Sequence, residues 1–277
     1  MFENTQLPFS ILINTSDNFE DCWSPFFLLF SKNWKECQYP IYLNTEFKEF
    51  NYPSLNIIST KVHEKITNRK LTWSECLIRA VEKIETPLIL YFQEDYFLDQ
   101  EVNTSFIQNI ASKMLENEDV KRIGLIETDS FGKLYPTEDP NIWEVSHTAR
   151  YITSTQVSLW RKEALLKYLK PEENGWMFEI FGTWRARKNI KDKFLTINRD
   201  KFSGKNRIVS YIHTGIIKGK WHPAIPELFS QNSIQIDFSK RGFYNLNIST
   251  IKRKIETFNK LTSSTSLLLK AVKERLF

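Results

Sequence analysis

Residues 86–99 read TPLILYFQEDYFLD, an apolar run without polar alternation that drives straight into two adjacent carboxylates, Glu94 and Asp95. A strand of this kind is covered on both faces, and a sheet covered on both faces is typically a parallel one flanked by helices. The flanking segments agree. Residues 9–17 (FSILINTSD) form an apolar run closed by turn formers, and Ser24-Pro25 reads as the N-cap and first position of a helix through FFLLFSKNW. YPIYLNTE and SLNIIST read as further strands. Thr72-Trp73-Ser74-Glu75 has capping-box spacing, and Leu77, Ala80, Val81 and Ile84 behind it share one helical face. VNTSFIQNIASKML predicts a helix with Phe106, Ile110 and Met114 on one stripe, and KRIGLIE another strand. Strand–helix alternation through residue 127 predicts an α/β fold with a mostly parallel, Rossmann-like central sheet flanked by helices.

Beyond residue 128 the pattern loosens. DSFGKLYPTEDPNIW reads as a loop, RYITSTQVSLW as a strand, RKEALLKYLK as a helix and WMFEIFGTWRARK as an aromatic-rich helix. KFLTINRD and RIVSYIH read as later strands, the latter leading into TGIIKGKWHP. With no clear linker, residues 1–248 are expected to form one domain, its 1–127 part opposite a 128–248 part, followed by a helical tail over 249–277.

Charge separates that tail from the body. Residues 250–277 hold seven Lys/Arg against two Glu, which accounts for the whole chain's net charge of +5. Apolar positions interleave with these cations, the pattern of a basic amphipathic helix that lies on an anionic membrane face; packing back on protein is the other reading. The N-terminus has neither a basic region nor a cleavage site, and no apolar run spans a bilayer, so a cytoplasmic location, peripheral on the inner membrane face through the tail, is expected. The three cysteines, Cys22, Cys37 and Cys76, have no metal-ligand spacing and read as reduced thiols.

Several chemistries are excluded by pattern. No G-x-G-x-x-G follows the first strand, and GIIKGKW fails as a phosphate loop because three residues separate its glycines and Trp replaces Ser/Thr. The four histidines are scattered, no G-x-S-x-G turn occurs, and no nucleic-acid motif appears. In parallel sheets ligands bind beyond the carboxyl ends of the strands. That rule selects Thr15, Ser16 and Asp17 after the first strand, and Glu94 and Asp95 after the strand at 86–93. Period-two geometry sends neighbours to opposite sides, so one carboxylate of the pair, Asp95, is expected to face a ligand.

SDNFEDCW after the first strand, YFQEDYFL, and NGWMFEIFGTWRAR together resemble bacterial sugar-nucleotide-dependent glycosyltransferases of the GT-A fold, over roughly residues 9–225. The resemblance implies a nucleoside-diphosphate-sugar donor, with UDP as the guess for its base, and a glycan or lipid-linked acceptor in surface polysaccharide synthesis. It gives 1–127 the donor and 128–248 the acceptor. It puts YFQEDYFL at the D-x-D element, with Asp95 as ligand of Mn or Mg, although Tyr96-Phe97 departs from that spacing. A metal-independent mechanism is equally open, with Lys201, Lys205, Arg207, Lys218 or Lys220 facing the diphosphate. Glu179 is implied as the base of an inverting transfer, with Trp176 and Trp184 against the acceptor sugar. His213 is a further candidate for metal or phosphate. Against these stand plainer roles: caps for Glu94-Asp95, an ion pair with Arg185 or Arg187 for Glu179, and core packing for the aromatics. A sugar-nucleotide nucleotidyltransferase would want a Gly-rich loop after the first strand, where NTSDNFEDCW has no glycine. A non-catalytic nucleotide- or glycan-binding protein of the same fold is the other alternative.

Overall fold

The computed structural model describes residues 7–35, 37–64, 69–247 and 269. The tail expected over 249–277 lies outside the described residues, Leu269 excepted. Two compact units are present, one ending at His213 and one starting at Thr214.

The first unit is built on β1 (Phe9–Asn14), α1 (Glu20–Asn33), β2 (Ile41–Asn44), β3 (Ile57–Ser59), α2 (Trp73–Glu82), β4 (Leu88–Gln93), α3 (Thr104–Glu116) and β5 (Val120–Gly124). It continues through β6 (Leu134–Pro136), β7 (Ile142–Val145), β8 (Ser158–Arg161), α4 (Lys162–Tyr168), α5 (Gly175–Met177), a π-helical turn (Phe178–Gly182), α6 (Thr183–Lys188) and β9 (Lys193–Ile197). The nine strands form one sheet in the order β3-β2-β1-β4-β8-β5-β9-β7-β6. β1 to β4 are parallel, β8 and β7 are reversed, and β5, β9 and β6 run with β1. The expected α/β architecture with a mostly parallel sheet is therefore present. β1 and the first five residues of β4 are buried throughout, as their unbroken apolar runs require.

The capping box at α2 forms as its spacing predicts. Thr72 accepts from the Glu75 amide, and the Glu75 side chain accepts from the Thr72 amide. Thr72→Ala removes one of these bonds and is expected to lower stability by about 1 kcal/mol. Chemical denaturation should show the midpoint falling with an unchanged m-value, and no change in midpoint would refute it.

Four local expectations are corrected. The first helix begins at Glu20, so Pro25 lies inside it; burial of Cys22 and Trp23 and acidic residues in the first turn favour the added turn before the proline. The segment read as a loop over 129–143 carries the β6–β7 hairpin. Only the end of RYITSTQVSLW is strand, β8. RIVSYIH is not a strand: Ile208 and Val209 are buried, but its backbone partners lie in the loop after β4, where Asp99 donates to the Ser210 carbonyl and Asn103 to that of Ile208.

The second unit contains β10 (Ile216–Ile217), β11 (Lys220–Trp221) and α7 (Ile225–Gln231). Lys218 and Gly219 make the hairpin turn, both at positive φ (53° and 79°), the combination a type I′ turn demands. Its interior is aromatic, with the Trp221 ring edge-on to Phe229 and Phe238. No described helix is long and apolar enough to cross a membrane.

Candidate active site

Chain order moves from β1 outward to β2 and β3, then returns to lay β4 on the other side of β1. Crevices open where strand order reverses in this way. The register sharpens this, because Asn14 ends β1 directly opposite Gln93, the end of β4. Thr15-Ser16-Asp17 and Glu94-Asp95 therefore leave the sheet side by side.

The residues after β1 are partly committed to the scaffold. Thr15 Oγ1 accepts from the Trp23 indole at 2.9 Å. The Asp17 carboxylate accepts from the amides of Glu46, Phe47 and Lys48 at 2.9, 3.0 and 3.2 Å, and the Asp17 amide donates to Glu46. Asp17 thus fixes the loop after β2. Ser16 starts the 3-10 turn over Asp17–Phe19 without using its side chain as a cap.

Glu94 and Asp95 are both buried, in a turn that begins where β4 ends. Strand alternation stops at Gln93, so the expectation that they face opposite sides does not carry past it. Two tyrosines show where their charges act. The Tyr91 hydroxyl is pushed up by burial and further by Glu94 and Glu179. That of Tyr96 is pushed up by burial and, among other groups, by Asp95 and Glu179. Carboxylates from two stretches of sequence, Glu94-Asp95 and Glu179, thus act on these two tyrosines. The Tyr96 ring stacks on Tyr211 at 4.4 Å, and its hydroxyl donates to the Thr155 carbonyl.

Glu179 sits in the π-helical turn. Asn174 caps the Met177 amide, and the wide turn follows. Buried Thr153 donates to the Phe178 carbonyl at 3.0 Å, and Gly182 packs so closely that a Cβ there would lie 2.7 Å from Thr153 Oγ1. π-Turns inside helices recur at functional sites. This one brings the Glu179 carboxylate to the Thr155 amide and hydroxyl, at 2.9 and 2.8 Å. Burial pushes Glu179 above the ordinary carboxylate range, against the two Thr155 hydrogen bonds, which lower it. Neither Arg185 nor Arg187 pairs with it. Arg185 grips Glu173, and Arg187 donates to the Thr148 and Ala149 carbonyls.

Glu179 and Trp184 line one cleft of about 250 Å³. Trp176, half-buried, is not among its lining residues. His213 lies exposed on a second cleft of about 210 Å³ with Arg207, which pairs with Glu127. Lys201 reaches Asn141, and Lys205 lies in the 3-10 turn Gly204–Asn206. Lys218 and Lys220 belong to the second unit, where Lys218 lies over the Tyr244 ring. Sequence reading missed Thr155, the clamp on Glu179, and the wall formed by Arg150 and Tyr151. The run ITSTQ held the only local signal, small hydroxyl residues where the pattern suggested strand.

Among the described residues the group of three with metal-ligating atoms within 4.8 Å is Glu46, His63 and Cys76, and it includes neither Asp95 nor His213. Its atoms serve the loops: His63 Nε2 accepts from the Leu71 amide, Glu46 accepts from Asp17, and burial, aided by the Glu46 charge, pushes the Cys76 thiol up to about 11. A histidine ligand ordinarily donates from its second nitrogen, whereas this one accepts.

No family model and no curated protein matches the chain. Among solved structures, S. aureus TarS 1–349 in complex with UDP is similar at 17% identity and a TM-score of 0.43, over 69% of this chain and 57% of that one. The chain therefore spans little more than half of that fragment. A mycobacterial protein is similar at 11% identity and a TM-score of 0.42, over 83% of this chain and 76% of that one. CMP:2-keto-3-deoxy-manno-octonic acid synthetase complexed with CTP gives 11% identity and a TM-score of 0.35, covering 68% and 88%.

Proposed function

We propose that the chain is a glycosyltransferase that moves a sugar from a nucleoside-diphosphate donor to a glycan or lipid-linked acceptor, with inversion at the anomeric carbon. The supporting observation is the bridge through Thr155: Tyr96, next to Asp95 at the β1/β4 switch point, donates to its carbonyl, and Glu179 accepts from its amide and hydroxyl. The donor enters the crevice beyond β1 and β4, bounded by Thr15, Ser16 and the loop that Asp17 braces. Its diphosphate faces Asp95. A Mn or Mg ion there would take Asp95 as its protein ligand and complete its shell from phosphate and water, as such ions commonly do, and would offset charge on the departing phosphate. Without metal, that charge falls to basic side chains, of which Arg207 lines a cleft with Tyr211, the ring stacked on Tyr96.

The acceptor occupies the cleft beside Glu179 and Trp184. Glu179 takes the proton of the acceptor hydroxyl as its oxygen bonds to the anomeric carbon, and the bond from that carbon to phosphate breaks with its electron pair on the nucleotide. Attack opposite the leaving group inverts the centre. A raised carboxylate suits a general base, because proton transfer is most effective when its pKa approaches the working pH.

A thermal-shift screen of UDP, GDP, CDP, CMP and their sugar conjugates, with and without Mn²⁺ or Mg²⁺, tests the donor site. A ligand at a hundredfold excess over its Kd stabilises by about 2.7 kcal/mol, a rise of roughly 5–10 °C for a domain of this size. One nucleotide should give that rise in the wild type, and Asp95→Ala should abolish it. No response to any of them overturns the reading.

A further inference from the structure

We infer that Tyr211 is a positioning residue for the proposed reaction: with the strap over residues 208–211 it fixes the spacing between the turn that carries Asp95 and the clamp that holds Glu179. This rests on the reading of those two carboxylates as donor and base residues, and adds to it the part that sets them in register.

Loops move more than the elements they connect, so residues on separate loops keep their spacing only where contacts tie those loops together. Residues 208–211 supply such ties. All four are buried, although they belong to none of the nine strands. Asp99 and Asn103 donate their amides to the Ser210 and Ile208 carbonyls at 3.1 and 3.0 Å, and Leu98 pairs with Tyr211 in an antiparallel bridge. Ahead of the strap, Arg207 pairs with Glu127 in the loop after β5. The segment is thus fastened to the loops after β4 and β5, which gives its apolar run a purpose outside the sheet.

Tyr211 then reaches the turn that grips the base. Its ring stacks on Tyr96, with centroids 4.4 Å apart and planes 15° from parallel. The two hydroxyls end on successive residues of one turn: Tyr96 donates to the Thr155 carbonyl at 3.0 Å and Tyr211 to Gln156 Oε1 at 2.7 Å. Thr155 in turn holds Glu179 by its amide and hydroxyl. One stacked pair therefore joins the neighbour of Asp95 in sequence to both residues of the clamp, and a shift of either ring carries the clamp with it. Reacting groups displaced by about 1 Å lose on the order of 10² in rate, so such a brace acts on the chemistry without touching substrate. Burial pushes the Tyr211 hydroxyl well above its ordinary range. The group is neutral, and removing it takes no charge from the site.

The test follows the Thr155 amide of the ¹⁵N-labelled full chain by NMR across a pH titration. An amide that donates to a carboxylate reports its ionisation, and Glu179→Gln, in which that titration disappears, identifies the signal. Tyr211→Phe keeps the stack and loses the Gln156 bond. The turn loosens, the Thr155 bonds that hold the Glu179 value down weaken, and the midpoint should move to higher pH. Gln156→Leu breaks the same bond from the other side and should move it in the same direction. Arg122 and Asp129, which act on Glu179, and Arg150 and Arg187, which line its cleft, are unchanged in both variants. Tyr39→Phe is the control. It removes another buried hydroxyl, bonded to Gln108, at the far end of β1, where the ring stacks on Phe9, and should leave the midpoint in place. A midpoint unmoved or lowered in Tyr211→Phe or in Gln156→Leu, or moved as far in Tyr39→Phe, overturns the proposal. The nucleotide screen on the same wild-type sample separates this outcome from the reading beneath it. A nucleotide response beside an unmoved midpoint leaves the glycosyltransferase reading standing without Tyr211, whereas no response to any nucleotide removes both.

Discussion

Glu179→Gln is expected to reduce sugar transfer by about 10²–10⁴-fold, the usual contribution of a positioned general base, while nucleotide binding persists. The same change should raise stability near neutral pH. A carboxyl whose folded pKa lies above its unfolded value holds its proton more tightly in the folded state. Stability from that group is complete at low pH and is lost as pH rises through the interval between the two values. Glutamine carries no charge to desolvate and can still accept from Thr155, so the melting temperature should increase by a few degrees, about 1 kcal/mol converted at this chain length. Activity has the opposite pH dependence. The base must be ionised, so kcat/KM of the wild type should rise with pH through the elevated Glu179 value, with its acid limb displaced upward from that of an ordinary glutamate. Steady-state rates across pH and melting curves for both proteins decide the matter. Full activity in the variant would remove Glu179 from the chemistry, and a fall in its melting temperature would show that the carboxylate is well solvated.

The elements legible in the sequence are those whose signals are local. Thr72 and Glu75 specify the start of α2 between themselves, and the unbroken apolar runs of β1 and β4 report burial on both faces without reference to anything distant. The β6–β7 hairpin was illegible because Pro136, Pro140 and clustered carboxylates mark a loop. β6 is an edge strand, exposed at Tyr135 and Pro136, and an edge tolerates proline that a central strand rejects. RIVSYIH failed in the opposite direction. Its apolar residues announce burial, which is correct, but burial alone does not supply a ladder partner, and its hydrogen bonds go to the loop after β4. The site divides along the same line. Strand ends are visible in sequence, so Glu94 and Asp95 could be placed at the crevice. Glu179 could be named, but its clamp depends on a π-turn and on Thr155, 24 residues earlier, which no spacing rule connects. The scaffold role of Asp17 needs the loop at 46–48 folded against it.

Asp129→Ala is expected to produce the largest loss of stability. Arg122 and Asp129 have side chains with no solvent exposure and are joined by two hydrogen bonds, one of 2.7 Å from Nη1 to Oδ2. Ser130 donates to the same carboxylate, and the Arg122 guanidinium lies 5.4 Å from the Trp160 ring centre on the neighbouring strand β8. The backbone makes room for the pair at Gly124, where a Cβ would come 2.0 Å from Asp129 Oδ2. Removing one partner leaves a buried guanidinium without its counter-charge, at a cost of about 3–5 kcal/mol, or roughly 6–20 °C in melting temperature. Replacing both, as Arg122→Met with Asp129→Leu, should recover much of that loss, because the desolvation penalty of each ion disappears with it. A double variant less stable than Asp129→Ala would show that the pair contributes more than mutual neutralisation. The pair also acts on the proposed base. Arg122 draws the Glu179 carboxyl down and Asp129 pushes it up. The milder Asp129→Asn should therefore lower the Glu179 value and move the acid limb of the rate profile toward lower pH. An unmoved limb in a folded Asp129→Asn protein would mean that this ion pair stabilises the sheet without tuning the carboxylate beside it.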